Sequence, residues 1–315
     1  MIHVRRHYHI SMNSLKNLLC ILSLSDTDRY TIKYTAHLAK LADTENIYIN
    51  FINEHQDLPD YLKNAYPSSI HHDSQTIVNK LREDISTVFI SDIKANVVYN
   101  VFEKGNITDN CLQFILEHGI DLVVYKKNTG LRESISLAKK LARRATCSTL
   151  LLTENYISFS KMLIPSDFSS QSKEALETAI QFAQFAKIQR ISLLHIIEWS
   201  SRDIIESHDP RKFIELIKSN AALELDAQLD AVEKKEIEID RLLDVDDNIE
   251  MGIQKVCRDK KIDLVVIAAR GTSSGVSIFL GSVAEKLIEV LNVPILVVRK
   301  KGTGTSILKS LFKMF

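Results

Sequence analysis

Asp167 stands in the run Pro165-Ser166-Asp167-Phe168-Ser169. A second polar stretch, Ala268-Ala269-Arg270-Gly271-Thr272-Ser273-Ser274-Gly275, is followed ten residues past Gly271 by Gly281-Ser282-Val283-Ala284-Glu285. A carboxylate flanked by hydroxyls accepts hydrogen bonds from ribose hydroxyls or a base amine; Asp167 and Ser169 equally suit the caps of a helix, and on these residues alone both readings stand. A glycine directly before a helix lets the backbone approach a phosphate, whose charge the free N–H groups and the helix dipole favour. Ser282 and Glu285 have the spacing of a capping box that opens such a helix. Arg270 reads either as a charge-assisted contact to phosphate or as a solvated loop charge. If Asp167 and Gly281 meet, the chemistry is that of a nucleotide site.

What brings them together is a pattern used twice. Ile-Asp-Leu-Val-Val occurs at 120–124 and at 262–266, a separation of 142, and pairing Ala42 with Ala186 gives 144, so the chain repeats in register. Each half opens with an apolar strand (18–22; 162–165), an Ala-rich amphipathic helix and a second strand (47–52; 191–197). A variable segment with a long helix follows (about 74–90; about 209–235), then strand, helix, strand, helix and a last strand (149–152; 294–298). The runs 191–197 and 262–268 are continuously apolar, as expected of parallel strands buried on both faces. Right-handed crossovers then give an α/β fold of two tandem doubly wound parallel sheets, with ligands beyond the carboxyl ends of the strands. The domains are expected at 12–155 and 158–300, joined through the polar stretch 153–160. The last strand of each half is an apolar edge that needs covering, so the halves are expected to pack as a pseudo-dimer.

On these residues the stretch from Lys161 to Arg299 resembles a universal stress protein domain over nearly its full length. The family's motif, Gly-x-x-Gly-x9-Gly-(Ser/Thr), reads here Ala268-x-x-Gly271-x9-Gly281-Ser282, with the first glycine missing. The resemblance implies a Rossmann-like domain of the adenine-nucleotide α-hydrolase type that binds ATP, with or without Mg2+. It implies Asp167, beside Pro165 and Ser166, on the adenosine, and the backbone at Ile196 along the adenine. Gly271, Gly281, Ser282 and Val283 would wrap the phosphates, with Arg270 beside them. Ala268 adds one methyl, which matters if φ is positive there or if the ligand sits against it; weakened binding is the expectation.

The first half departs from that pattern. Ser23 takes the place of Asp167, with Asp26 nearby, Ile135 that of Gly281 and Lys139 that of Glu285, which is expected to put positive charge in the helix's first turn. Its phosphate loop is four residues shorter, 21 against 25 between matched points. This half is expected to serve as scaffold or partner surface. Its Lys126, Lys127, Lys139, Lys140, Arg143 and Arg144 form either a basic patch or a solvated helix face.

The whole chain of 315 residues is 45% hydrophobic and 25% charged, with 40 basic against 40 acidic side chains. That balance offers no field to gather nucleic acid or an anionic membrane. Cys20, Cys111, Cys147 and Cys257 are isolated and indicate neither zinc nor a disulfide framework. With no apolar run of spanning length and no signal peptide, a cytoplasmic protein is expected. Residues 1–11, with His3, His7 and His9, read as an over-long start or a frayed tail. His71, His72 and His208 suggest no metal site, and His195 reads as a satisfied strand histidine. The tail 301–315 places Ile307, Leu308, Leu311, Phe312 and Phe315 on one amphipathic stripe, expected to dock on this chain or a partner in preference to a membrane. The expected function is an ATP-binding regulatory module of a stress response that signals to a protein partner, with homodimer formation open and at most slow ATP hydrolysis. A nucleotide-free interaction protein is the alternative. The phosphate-loop sequences required for an AMP-transferring enzyme are not present.

Overall fold

The computed structural model describes residues 15–23, 28–52, 79, 82–83, 85–87, 93–102, 106–153, 159–199, 209–234, 236–271 and 278–299. The first half runs β1 (Asn17–Leu22), α1 (Asp28–Ala42), β2 (Asn46–Ile52), β3 (Asn96–Phe102), α2 (Ile107–Glu117), β4 (Leu122–Lys126), α3 (Arg132–Arg144) and β5 (Ser148–Leu152). The second half repeats that order as β6 (Met162–Pro165), α4 (Ser170–Phe185), β7 (Arg190–Glu198), α5 (Pro210–Asp230), β8 (Glu238–Asp246), α6 (Ile249–Asp259) and β9 (Leu264–Ala268). A two-residue ribbon follows, β10 (Arg270–Gly271) antiparallel to β11 (Ile278–Phe279), and then α7 (Ser282–Val290) and β12 (Ile295–Val298). Of the long helix expected near 74–90, residues 79, 82–83 and 85–87 are described; they are helical, and Ile85 is fully buried. Asp26, His71, His72, His208 and the tail 301–315 lie outside the described residues.

Local chemistry starts the helices where they begin. The side chains of Asn106, Ser169, Asp209 and Asn248 accept backbone N–H groups in the first turns of α2, α4, α5 and α6, satisfying donors that a helix leaves open. The strands form one ten-stranded sheet ordered β3-β2-β1-β4-β5-β12-β9-β6-β7-β8. Every neighbouring pair is parallel except β5 with β12, which run antiparallel with Leu150 opposite Leu296. That joint covers the two apolar edges, as a pseudo-dimer requires. Two cores result, one on each face, and each runs through both halves: α1, α4 and α5 cover one, α2, α3, α6 and α7 the other.

Buried cations close the joint. Lys127, 1% exposed, donates from Nζ to the carbonyls of Ile288 (2.6 Å) and Leu291 (2.5 Å) at the C-terminal end of α7. Arg299, also buried, donates from Nη2 to the carbonyls of Ala142 (3.2 Å) and Arg143 (2.9 Å) at the end of α3. Each half thus offers a positive charge to the negative pole of the other half's helix. Lys139 pairs with Glu289, Arg143 with Glu285 and Arg144 with Asp109. The six cations of the first half are therefore neither a basic patch nor one solvated face, since Lys126 and Lys127 are buried and three of the other four sit in ion pairs. All four cysteines are free and buried, and burial pushes the thiols of Cys20, Cys111 and Cys257 up to about 12. Among the described residues, no helix is long and apolar enough to cross a membrane.

Candidate functional site

Strand order reverses between β6 and β9, because β6 leads outward through β7 and β8 while β9 leads back to β12. A cleft of about 180 Å³ opens at the carboxyl ends of these two strands. Pro165, Ser166 and Asp167 enter it from the tip of β6, Ile196 from β7, Ala268 from β9, and Gly281, Ser282 and Val283 from the start of α7. The structure therefore brings together eight of the ten residues expected from the sequence. Arg270 and Gly271 stand just beyond Ala268 in β10, where they pair with Phe279 and Ile278.

The tip of β6 is shaped by its own hydroxyls. Ser169 caps α4, and Asp167 accepts hydrogen bonds from the Ser169 amide (3.1 Å) and, closely, from its hydroxyl. Of this stretch, Ser169 is the helix cap, and Asp167 orients it while lining the cleft. Partial burial works to raise the Asp167 pKa, but the bonds from Ser169 outweigh it and hold the carboxyl below its ordinary value, so the group is charged at neutral pH. Phe168 adopts a left-handed backbone (φ 59°), and its ring lies 4.2 Å from that of His195. His195 Nδ1 bonds the carbonyl of Ser166 at 2.8 Å, so this histidine is a satisfied strand residue, as its position suggested.

Beneath Asp167 lies a buried polar cluster that sequence reasoning missed. Ser166 donates to Gln228 Oε1 (2.6 Å), while Gln228 Nε2 donates to Ser172 Oγ (3.2 Å), which itself lies 3.2 Å from Ser166 Oγ. The cluster ties α5 to the floor of the cleft. Gln228→Leu is expected to take one partner from each hydroxyl, while Ser172 keeps the Ser169 carbonyl and Ser166 keeps Ser172, and to lower stability by about 1 kcal/mol, read as a fall in the urea midpoint. The apolar wall, Ile249 and Ile253 of α6, was also missed; its signal was Gly252, inside a helix. A Cβ on Gly252 would lie 3.0 Å from Asp246 Cβ and 3.1 Å from Ile196 Cδ1, so the glycine lets α6 press onto β7.

The opening of α7 differs from the expected capping box. Its N-cap is Gly281, which offers no side-chain bond, so Ser282 is the first helical residue, and Glu285 pairs with Arg143. The first amides of α7 consequently border the cleft without a side-chain cap. Gly281 has φ −54° and ψ 154°, open to any residue, so what it contributes is the missing side chain. Ala268 is not among the residues of positive φ, and it lines the cleft without backbone strain.

The first half is built otherwise. There α3 begins at Arg132, so Ile135 lies within the helix and is buried, and Lys139 sits mid-helix beside Glu289, not in a first turn. Tyr125 and Ser134 bond at 2.7 Å, and Ser134 Oγ accepts the Asn128 amide at 2.9 Å, which closes the short loop. Ser23 lies 3.4 Å from Asp28.

The universal stress protein family model matches residues 158–299, the segment that carries the cleft. Residues 158–299 thus carry a universal stress protein domain. A universal stress protein of Methanocaldococcus jannaschii is 29% identical over 163 residues, covering 47% of this chain and 99% of its own. One from Bacillus subtilis is 27% identical over 150 residues, covering 45% and 99%. A solved universal stress protein from Archaeoglobus fulgidus, 15% identical, covers 91% of this chain and 97% of its own with a TM-score of 0.59. A functionally unknown protein of Pseudomonas aeruginosa gives 15% identity, 96% and 99% coverage and a TM-score of 0.59. These two share the fold across both halves. Within the universal stress protein domain, the cleft is the place where a strand-tip carboxylate and an uncapped helix start converge.

Proposed function

We propose that the universal stress protein domain binds one adenine nucleotide, ATP, in this cleft, and that the chain acts as a regulatory module of a stress response whose occupancy is read by a protein partner in the cytoplasm. The observation that carries the reading is the convergence of Asp167 and the uncapped start of α7 on one cleft at the strand crossing. Asp167 suits ribose hydroxyls, the backbone at Ile196 an adenine edge, and the amides of Ser282 and Val283 a phosphate. Gly271 and Arg270 would approach the phosphates from β10. Among the described residues no cluster of three metal-ligating side chains occurs. Mg2+ arriving with ATP would be held by the phosphates and water.

Titration calorimetry of the full chain with ATP is expected to give one site. Asp167→Ala should weaken it by about 1.5–3 kcal/mol, the range for a hydrogen bond to a charged group. No heat with ATP, ADP or AMP would favour a nucleotide-free interaction protein. Two sites would place a second pocket in the first half.

A further inference from the structure

The helix whose first amides border the cleft is fastened at its other end by the opposite half of the chain. Nine residues make α7 too short to hold its own position, so packing must set it. Ala284, Leu287 and Ile288 bury its inner face. Its last turn is held by Lys127 Nζ, through the carbonyls of Ile288 and Leu291, and by Gln254 of α6, whose Nε2 donates to the Val290 carbonyl at 3.2 Å. Lys127 is itself fixed, since its amide donates to the Leu152 carbonyl at 2.9 Å and its side chain is buried. Glu285 in the first turn pairs with Arg143, and Glu289 one turn later with Lys139 at 3.1 Å. Lys127, Lys139 and Arg143, which carry the charged contacts to α7, all belong to the first half, and none lines the cleft.

We infer that Lys127 is a positioning residue for the cleft: by holding the end of α7 it fixes where the helix's N-terminal amides point, so the half without a nucleotide motif sets the affinity of the half that has one. The affinity part rests on the nucleotide reading above; the helix-holding part does not. A ligand gains most from amides already aimed at it, because it need not order them on binding. Loosening the far end frees α7 to tilt on its buried face and spreads those amides over several directions. Lys127→Met keeps the length of the side chain but removes the ammonium that both carbonyls share. Lys127→Arg restores a cation able to reach them.

Hydrogen exchange and ATP calorimetry on the full chain test this together. In Lys127→Met, amides of α7 are expected to exchange at least about tenfold faster with β6 and β7 unchanged, and ATP to bind about tenfold more weakly; Lys127→Arg should recover much of both. Should Lys127→Met fail to fold, Arg143→Glu is expected to loosen α7 in the same way, and Arg143→Glu with Glu285→Arg to restore it. Unchanged α7 exchange in the folded variants would overturn the inference, as would faster exchange with unaltered ATP affinity. If the native chain gives no heat with ATP, the nucleotide reading fails, and the exchange measurement still decides whether Lys127 holds the helix.

Discussion

Gly281→Ile is expected to abolish nucleotide binding while leaving the fold standing. The backbone at this position is open to any residue, so the substitution introduces no φ strain. A branched side chain would occupy the space through which a phosphate reaches the first amides of α7. Losing that contact should cost at least about 2.7 kcal/mol, a hundredfold in affinity. Replacing Gly by Ile as an N-cap should cost stability only about 1 kcal/mol. ATP calorimetry together with a urea titration separates the two effects. Binding within about threefold of the native chain would show that the phosphates lie elsewhere. Ala268→Gly, by contrast, should leave affinity equal or raise it, because Ala268 lines the cleft and its backbone is unstrained.

The second large effect is expected at the joint, where Arg299→Ala should destabilise the full chain by about 2–4 kcal/mol. Truncation withdraws the donor from the carbonyls of Ala142 and Arg143 and removes a buried alkyl stem. Two contributions oppose this. Burial already works against the charged guanidinium, lowering its pKa, and Nε and Nη1 are buried without a hydrogen-bond partner, a native cost that truncation relieves. The lower end of the range is therefore the better expectation. Equilibrium unfolding in urea reads it directly, and a midpoint equal to or above that of the native chain would mean that this cap gives no net stability.

Features encoded locally were legible in the sequence. Strands β7 and β9 showed as continuous apolar runs because both faces are covered, and the 142-residue separation of Ile120 and Ile262 revealed the repeat. Asp167 and Gly281 were readable because strand tips and helix starts have their own residue chemistry. Features decided across the fold were not. Lys127 follows an apolar strand as many loop lysines do, and its partners lie 161 and 164 residues away. Ser282 and Glu285 have capping-box spacing, yet a distant arginine claims the glutamate and the helix starts on Gly281. Gln228 sits 62 residues from Ser166, and nothing in its neighbourhood marks it as part of a cleft floor.

The antiparallel pairing of β5 with β12 joins two halves of one chain. Separate single-domain subunits meeting through such edges would come apart on dilution, at a concentration set by their dissociation constant. Here the second encounter is intramolecular, with an effective concentration in the millimolar range or above for a short connection, so dilution leaves the joint closed. Joining in one chain also removes the demand that the partners be identical: the halves can differ at matched positions, as Ser23 differs from Asp167 and Ile135 from Gly281. Sedimentation of the chain from micromolar to nanomolar concentration should therefore show no opening of this pairing, whatever larger assembly forms above it.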